Sequence, residues 1–140
     1  MKTRFTSLVS LKKSAMDRSE RAVQSANADL NSAAMALQLA YTTLDTIETP
    51  NSGTMSKMLA SRSLLGSQRD LIVHNQEWVE FAQKQVHSAK GQLKLDMIEH
   101  EKFKYLELIE IKKILKKIKI QEAKELDEVA LMTYARKEDR

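Results

Sequence analysis

The sequence predicts an all-α fold, an elongated antiparallel coiled-coil hairpin of two helices in which the second helix is longer than the first. Three observations lead to this fold class. The only proline and one of the three glycines lie together in residues 49–54, apolar residues recur at helical spacing on both sides, and aromatic residues make up only 5% of the 140 residues. So few large apolar side chains favour a thin seam between helices over a thick globular core. We therefore predict one domain, 1–140, with helix one at about 3–48, a loop at 49–54 and helix two at about 55–136.

Helix one is predicted from a single stripe of apolar or small residues with steps of mostly three or four. The stripe consists of Leu8, Leu11, Ala15, Ala22, Ala26, Leu30, Ala33, Leu37, Tyr41, Leu44 and Ile47. Pro50 ends the pattern, because proline lacks the amide hydrogen that a continuing helix needs.

Helix two carries a clearer signal, a heptad repeat. The residues at intervals of seven are Leu65, Ile72, Val79, Val86 and Leu93, with Ala82 and Ala89 in the alternate positions. The last third keeps the spacing through Leu108, Ile111, Leu115, Ile118, Leu126, Val129 and Met132. Glu122 and Glu125, however, occupy positions of that repeat where apolar residues are expected.

The two stripes are expected to pack against each other across the loop. With the turn centred near Ser52, residue i faces roughly residue 104 minus i, which sets Ala22 against Ala82. Helix two is then longer than its partner, and its part from about Lys102 onward is expected to lack one.

No catalytic or cofactor motif is present. The three glycines form no phosphate-binding loop, and of the three histidines only His100 has a carboxylate, Asp96, at helical ligand spacing. One carboxylate and one histidine are an incomplete metal site, so we expect neither an enzyme nor a cofactor. The absence of cysteine is typical of a reducing compartment. Without a secretory signal or a run of about 18 apolar residues, we expect a cytoplasmic chain with no transmembrane segment.

Charge is concentrated in two segments. Residues 1–24 carry six basic and two acidic side chains, and residues 102–120 carry seven basic and two acidic ones, in a chain of net charge +4. The predicted hairpin brings both segments to the end opposite the loop, where we expect an acidic partner. The candidate residues are Lys12, Lys13, Lys112, Lys113, Lys116 and Lys117. The alternatives are an ordinary solvated face and a helical hairpin that binds nucleic acid. No recognised nucleic-acid module is present in the sequence, so we do not expect nucleic acid to be a partner.

A second apolar row accompanies the heptads of helix two. Leu64, Leu71 and Trp78 recur every seven residues beside Leu65 and Ile72. Tyr41 and Leu44 are expected to extend this row on helix one. The row is either a partner site or a wider seam. A homo-oligomeric scaffold, in which the surplus apolar stripe pairs with a second copy, is a further alternative.

The chain resembles the FliJ family, small coiled-coil proteins of the flagellar type III export apparatus. The opening FTSLVSLKK, residues 5–13, is similar to the family's first apolar and Leu-Lys turn, and QEAKELDEVALMTYARK, residues 121–137, is similar to its closing segment. The Leu126-Asp127-Glu128 stretch is the most specific part of the likeness.

The resemblance implies a non-enzymatic stalk, similar to the central stalk of rotary ATPases, that serves flagellum biogenesis and thereby motility and chemotaxis. Its implied partners are the hexameric export ATPase, the cytoplasmic linker of the transmembrane export-gate protein and the export chaperones. The implied location is cytoplasmic, peripheral at the inner face of the cell membrane. The nearest matches to the family's gate-binding residues, together with the second apolar row, are Leu37, Tyr41, Leu44, Leu64, Leu65, Leu71, Ile72 and Trp78.

Overall fold

The computed structural model describes residues 2–48, 50 and 52–138 and contains two helices. Helix α1 comprises Thr6–Thr46 and has 41 residues, and helix α2 comprises Met55–Glu138 and has 84 residues. The two helices pack against each other, and the described part of the chain is 93% helical with no strand. The all-α fold class with a longer second helix is therefore confirmed. No helix among these residues has the length and apolar character needed to cross a membrane.

The chain divides into two compact units, each of which contains a part of both helices. The hairpin unit is Met16–Asp96, and the terminal unit is Met1–Ala15 together with Met97–Arg140. Each unit is described separately below. The single domain predicted for 1–140 stays a prediction.

The start of α1 is set by two threonines. The hydroxyl of Thr3 accepts a hydrogen bond from the Phe5 amide at 3.1 Å, and the Thr3 amide donates to the Thr6 hydroxyl at 2.8 Å. This reciprocal arrangement satisfies amide groups that have no partner within the helix. Regular helix begins at Thr6, three residues later than the predicted start, because Thr3 acts as the cap.

The end of α1 and the start of α2 follow from loop chemistry. Helix α1 ends at Thr46, before the predicted residue 48, because the ring of Pro50 would clash with the carbonyl of a residue four positions earlier. Gly53 has a φ of +148°, a conformation that favours glycine. Thr54 then caps α2, with its carbonyl accepting from the Lys57 amide at 3.1 Å. Thr49 and Asn51 of the predicted loop lie outside the described residues.

The core of the hairpin unit is a narrow seam that follows alternate steps of three and four residues. Its most buried apolar side chains are Ala33, Ala40, Ile72, Ala82 and Val86. The other seam residues of α2 are Leu65, Gln68, Asn75, Val79, Ala89, Leu93 and Asp96, and those of α1 include Ser19, Val23, Leu30, Leu37 and Leu44. The heptad repeat predicted for α2 therefore lines the seam, with polar residues in several alternate positions.

The stripe predicted for α1 is partly wrong. Leu11 is 63% exposed, and Leu8, Ala22 and Tyr41 are exposed as well. Their places towards α2 are taken by other residues, namely Val9, Lys12, Ser19, Val23 and Ala40. Steps of four taken in succession, as in the predicted stripe, rotate slowly away from the partner helix, whereas alternation of three and four keeps facing it.

Polar side chains connect the two helices inside this seam. Gln68 donates from Nε2 to the carbonyl of Ala40 at 2.8 Å, and Asn75 donates from Nδ2 to the carbonyl of Ala36 at 3.5 Å. At the other end of the hairpin unit the Ser19 hydroxyl donates to the Asp96 carboxylate. Each bond satisfies a polar group that the seam partly removes from water.

These three bonds define the helix register. They join residue 40 with 68, 36 with 75 and 19 with 96, so the residue numbers add to 108, 111 and 115. These sums exceed the predicted sum of roughly 104 by 4, 7 and 11, so the predicted register is wrong by about one heptad on average. A shift by one heptad leaves the same apolar positions in the seam, so periodicity alone does not select the register. The bond between the Ser19 and Asp96 side chains does, because a shift would separate them.

The terminal unit has contacts of its own between α1 and α2. Lys12 forms an ion pair with Glu99 at 3.8 Å, and its ammonium lies 5.5 Å from the centre of the Phe103 ring. Arg4 pairs with Glu110 at 3.7 Å. Partial burial of α2 continues to Ile114, and every residue from 115 to 137 is exposed. The part of α2 without a partner therefore begins near 115, and not near Lys102, because the register places α1 further along α2.

Ala33, one of three buried alanines in the seam, gives a stability prediction. Ala33 is fully buried, whereas Ala34 is exposed. Ala33→Leu has no room beside α2 and is expected to destabilise the hairpin unit by about 1–3 kcal/mol. Ala34→Leu is the matched control and is expected to change stability by less than about 0.5 kcal/mol. Thermal unfolding followed by circular dichroism measures both, and equal melting temperatures for the two variants would contradict the seam assignment.

Cross-linking tests the register directly, because the chain contains no cysteine. A short bismaleimide is expected to join Ser19→Cys to Asp96→Cys, whose native side chains are hydrogen-bonded. The comparison pair is Ser19→Cys with Gln85→Cys, which the register of sum 104 would bring together. Gln85 lies 11 residues before Asp96, roughly 16 Å along the helix, so this pair is expected to remain unlinked. Efficient linking of only the second pair would show that the helices adopt the other register.

Candidate functional site

The hairpin unit exposes a row of large apolar side chains along α2. Leu64, Leu71 and Trp78 are 55%, 46% and 46% exposed, although they are spaced at the seven-residue interval of the seam. Their neighbour Ile72 is only 7% exposed, and Leu65 is half-buried. The row therefore lies beside the seam and is not a wider part of it.

Helical geometry places the row on one flank of the seam. At about 100° per residue, Leu71, Trp78 and Leu64 fall within about 40° of one another, and the seam residues Ile72 and Asn75 lie to one side of them. Phe81, which is 58% exposed, lies further from the seam on the same flank. We call Leu64, Leu71, Trp78 and Phe81 the apolar row. Phe81 is absent from the sequence-based list, although its spacing of three from Trp78 is a usable signal.

The opposite flank of the seam on α2 is polar. Its residues, again seven apart, are Arg62, Arg69, Gln76, Gln83 and Lys90. Gln76 lies about 140° from Leu71, with the seam between them. At these seven-residue positions the two flanks of the helix therefore differ in chemistry, although the polar flank also carries the exposed Met58 and Val73.

Tyr41 lies on the polar flank. Its hydroxyl accepts a hydrogen bond of 2.6 Å from Nε2 of Gln76. The prediction that Tyr41 extends the row of Leu71 and Trp78 is therefore wrong. The side of α1 that faces away from Tyr41, and hence towards the flank of the apolar row, carries Ala36 and the exposed Leu39.

The eight residues predicted for gate binding thus separate into three groups. Leu64, Leu71 and Trp78 lie in the apolar row, and Tyr41 lies on the other flank. The remaining four are seam residues, with Ile72 buried and the rest half-buried: Leu37, Leu44, Leu65 and Ile72. A seam side chain contacts the partner helix of its own chain. These four side chains therefore support the surface from within and offer little area to another molecule.

The lysines of the terminal unit are also divided. Lys112, Lys113, Lys116 and Lys117 are exposed on α2, and no ion pair is found for them within residues 2–48, 50 and 52–138. Lys12 is half-buried against Glu99 and Phe103. Phe103 precedes Lys112 by nine residues, roughly 14 Å along the helix, so Lys12 is not part of the same cluster.

The remaining N-terminal basic residues differ in their position. Arg4 pairs with Glu110, two residues before Lys112, and is therefore close to the lysine cluster of α2. Lys13 is exposed, one residue after Lys12. The single joint patch expected from the sequence is therefore not formed, because the corrected register sets Lys12 and Lys13 against an earlier part of α2.

The candidate metal pair is Asp96 and His100, and the described residues add no further ligand to it. Both carboxylate oxygens of Asp96 accept hydrogen bonds, one from Ser19 and the other from Gln92 at 3.2 Å. His100 is buried in the seam of the terminal unit. Among the described residues, no group of three or more side chains has the composition and proximity to hold a metal ion.

Comparison with known proteins gives one assignment. The family model of the flagellar FliJ protein matches residues 1–139. No curated protein and no solved structure matches the chain significantly. Because the family match covers almost all of the sequence that folds into the two packed helices, the chain belongs to the FliJ family of flagellar proteins.

Proposed function

We propose that this chain is a non-enzymatic adaptor of the flagellar type III export apparatus, which contacts the export gate through the apolar row and the export ATPase through its lysine cluster. The observation that carries the proposal is the one-sided exposure of Leu64, Leu71 and Trp78 beside a seam that is already filled. The family membership supplies the flagellar export context.

The apolar row supports binding of a partner that brings an apolar face of its own. Each of its side chains is roughly half exposed, and burying the remainder would contribute roughly 1 kcal/mol per residue. Trp78 and Phe81 are among the residue types that dominate binding energy at interfaces. The cytoplasmic linker of the transmembrane gate protein is the proposed partner for this surface.

The lysine cluster supports a different kind of contact. Lys112, Lys113, Lys116 and Lys117 lie within a span of six residues and form no ion pair with the part of the chain that the structure describes. They therefore attract an acidic surface over a range set by ionic strength. The hexameric export ATPase is the proposed partner, and the contact is proposed to promote assembly and activity of its ring. The export chaperones are further proposed partners, on the grounds of family membership, and the proposed location is cytoplasmic at the inner face of the membrane.

The gate contact is tested with Leu71→Ala combined with Trp78→Ala. Both side chains are exposed, so the double variant is expected to keep its helix content and its melting temperature while affinity for the gate linker falls by tenfold or more. The adjacent seam residues provide the matched control. Ile72→Ala, with Val79→Ala and Val86→Ala, is expected to lower stability, with about 2–5 kcal/mol for the isoleucine alone.

Calorimetric titration with the gate linker, next to thermal unfolding, separates the two groups of variants. Unchanged affinity of the folded Leu71 and Trp78 variant would remove the apolar row from the gate site. A large loss of stability in that variant would instead assign its side chains to the core.

The ATPase contact is tested by charge reversal of Lys112, Lys113, Lys116 and Lys117 to Glu. We expect this variant to lose stimulation of ATP hydrolysis and to retain gate binding, and added salt to weaken stimulation by the unmodified chain. The control reverses four exposed lysines of the hairpin unit, Lys57, Lys84, Lys90 and Lys94, which gives the same change in net charge.

Full stimulation by the first variant would exclude the lysine cluster as the ATPase site. Equal loss in both variants would show that only net charge matters. An electrophoretic shift assay with duplex DNA on the same proteins tests the nucleic-acid alternative, and light scattering tests the homo-oligomeric one.

A further inference from the structure

Residues 108–120 of α2 combine exposed apolar side chains with a high density of lysine. The apolar side chains are Ile109, Ile114, Ile120 and four that form an apolar stripe, Leu108, Ile111, Leu115 and Ile118. The basic side chains are Lys112, Lys113, Lys116, Lys117 and Lys119. No acidic residue lies in this stretch except Glu110, which pairs with Arg4. We call residues 108–120 the basic amphipathic segment.

The two kinds of side chain occupy separate faces of the helix. At about 100° per residue, the four apolar side chains of the stripe fall within an arc of about 80°, and the five lysines fall within the adjoining arc of about 160°. Ile109 and Ile120 are the exceptions, since both lie on the basic face. Ile109 is half-buried and Ile120 is exposed. An apolar stripe bordered by lysines is typical of helices that lie in the interface of a membrane.

The apolar stripe is not covered by the rest of the described chain. Leu108, Leu115 and Ile118 are 49%, 44% and 42% exposed, and Ile111 is half-buried. The contact between α1 and α2 ends near Ile114, so Leu115 and Ile118 lie beyond the part of α2 that α1 covers. A partner outside this chain is needed to remove them from water.

The length of the stripe decides which partner fits. Glu122 and Glu125 interrupt the stripe before Leu126 and Val129 resume it, so the uninterrupted apolar part from Leu108 to Ile118 is roughly 15 Å long. That is fewer than two heptads, whereas the apolar repeat that indicates a coiled coil with another helix extends over about three to four or more. Shallow insertion into a bilayer surface has no such requirement, because the lysines add attraction to anionic head groups.

We propose that the basic amphipathic segment binds the surface of a bilayer that contains anionic lipid. Leu108, Leu115 and Ile118 insert among the acyl chains near the head groups, and the lysines contact lipid phosphates. The lysines are shared with the proposed ATPase site, so a chain on the bilayer does not engage the ATPase through them. The apolar stripe distinguishes the two interactions, since only lipid binding needs it.

Flotation of the full chain with vesicles tests the proposal without any ATPase. We expect binding to vesicles of phosphatidylglycerol and phosphatidylcholine, and none to phosphatidylcholine alone. Leu115→Ser with Ile118→Ser keeps every lysine and is expected to weaken binding by tenfold or more. Leu126→Ser with Leu131→Ser, two exposed leucines of α2 outside the segment, is the matched control and is expected to bind as the unmodified chain does.

The depth of insertion gives a second readout. Single cysteines at Ile118→Cys and Lys117→Cys are labelled with a polarity-sensitive fluorophore, which is possible because the chain has no other cysteine. Vesicles are expected to shift the emission of the label at 118 to shorter wavelength and to leave the label at 117 nearly unchanged.

Three results would overturn the proposal. The first is no binding to anionic vesicles at low salt. The second is undiminished binding by the Leu115 and Ile118 variant, which would leave only a diffuse charge attraction. The third is displacement of the chain from vesicles by duplex DNA, if the unmodified chain and the Leu115 and Ile118 variant bind that DNA equally well. This result would make the segment a nucleic-acid surface. Failure of ATPase stimulation leaves the vesicle results unaffected, so the two proposals are tested separately.

Discussion

The rest of the structure depends on the polar hydrogen bonds that fix one helix against the other. Two heptad stripes pack in several registers with similar apolar contacts, because a slip of seven residues returns the same positions to the seam. Ser19 and Asp96 remove this ambiguity in the hairpin unit, because their hydrogen bond joins two side chains that a slip would separate. Gln68 and Asn75 add bonds to the backbone carbonyls of Ala40 and Ala36. The small alanine side chains leave the α1 backbone accessible to both donors. Specificity of register is the best-supported role for polar residues in such seams.

The register then decides which side chains remain for other molecules. It places Tyr41 against Gln76, which leaves Leu71 and Trp78 on the flank without an aromatic partner from α1. Within the terminal unit, the pairing of Lys12 with Glu99 separates this lysine from the cluster on the later part of α2. In each unit, the pairing of the two helices thus decides which side chains the candidate surface contains.

Much of the fold was predictable from the sequence, because proline, glycine and a seven-residue period act locally. The period of Leu65, Ile72 and Val79 was sufficient to place α2 in the seam. The alignment of α1 was not predictable in this way, since its small residues gave no sharp period and Leu11 appeared as good a seam residue as Val9. The candidate site was predicted less well. Neighbours such as Leu71 and Ile72 are equally apolar, and only the packed structure shows which of the two is buried.

Exposure of apolar side chains is by itself weak evidence for binding in this molecule. Two helices share one narrow seam, so large apolar residues are exposed on many faces, including Met35, Leu95 and Leu131. The informative feature is the difference between the two flanks of one helix. On α2 of the hairpin unit, one flank repeats leucine and tryptophan where the other repeats arginine and glutamine at the same seven-residue interval. Since both flanks border the same seam at similar angles, the requirements of folding are similar for the two. The apolar character of one flank is therefore not explained by folding alone, and it is the observation on which the proposed contact with another molecule depends.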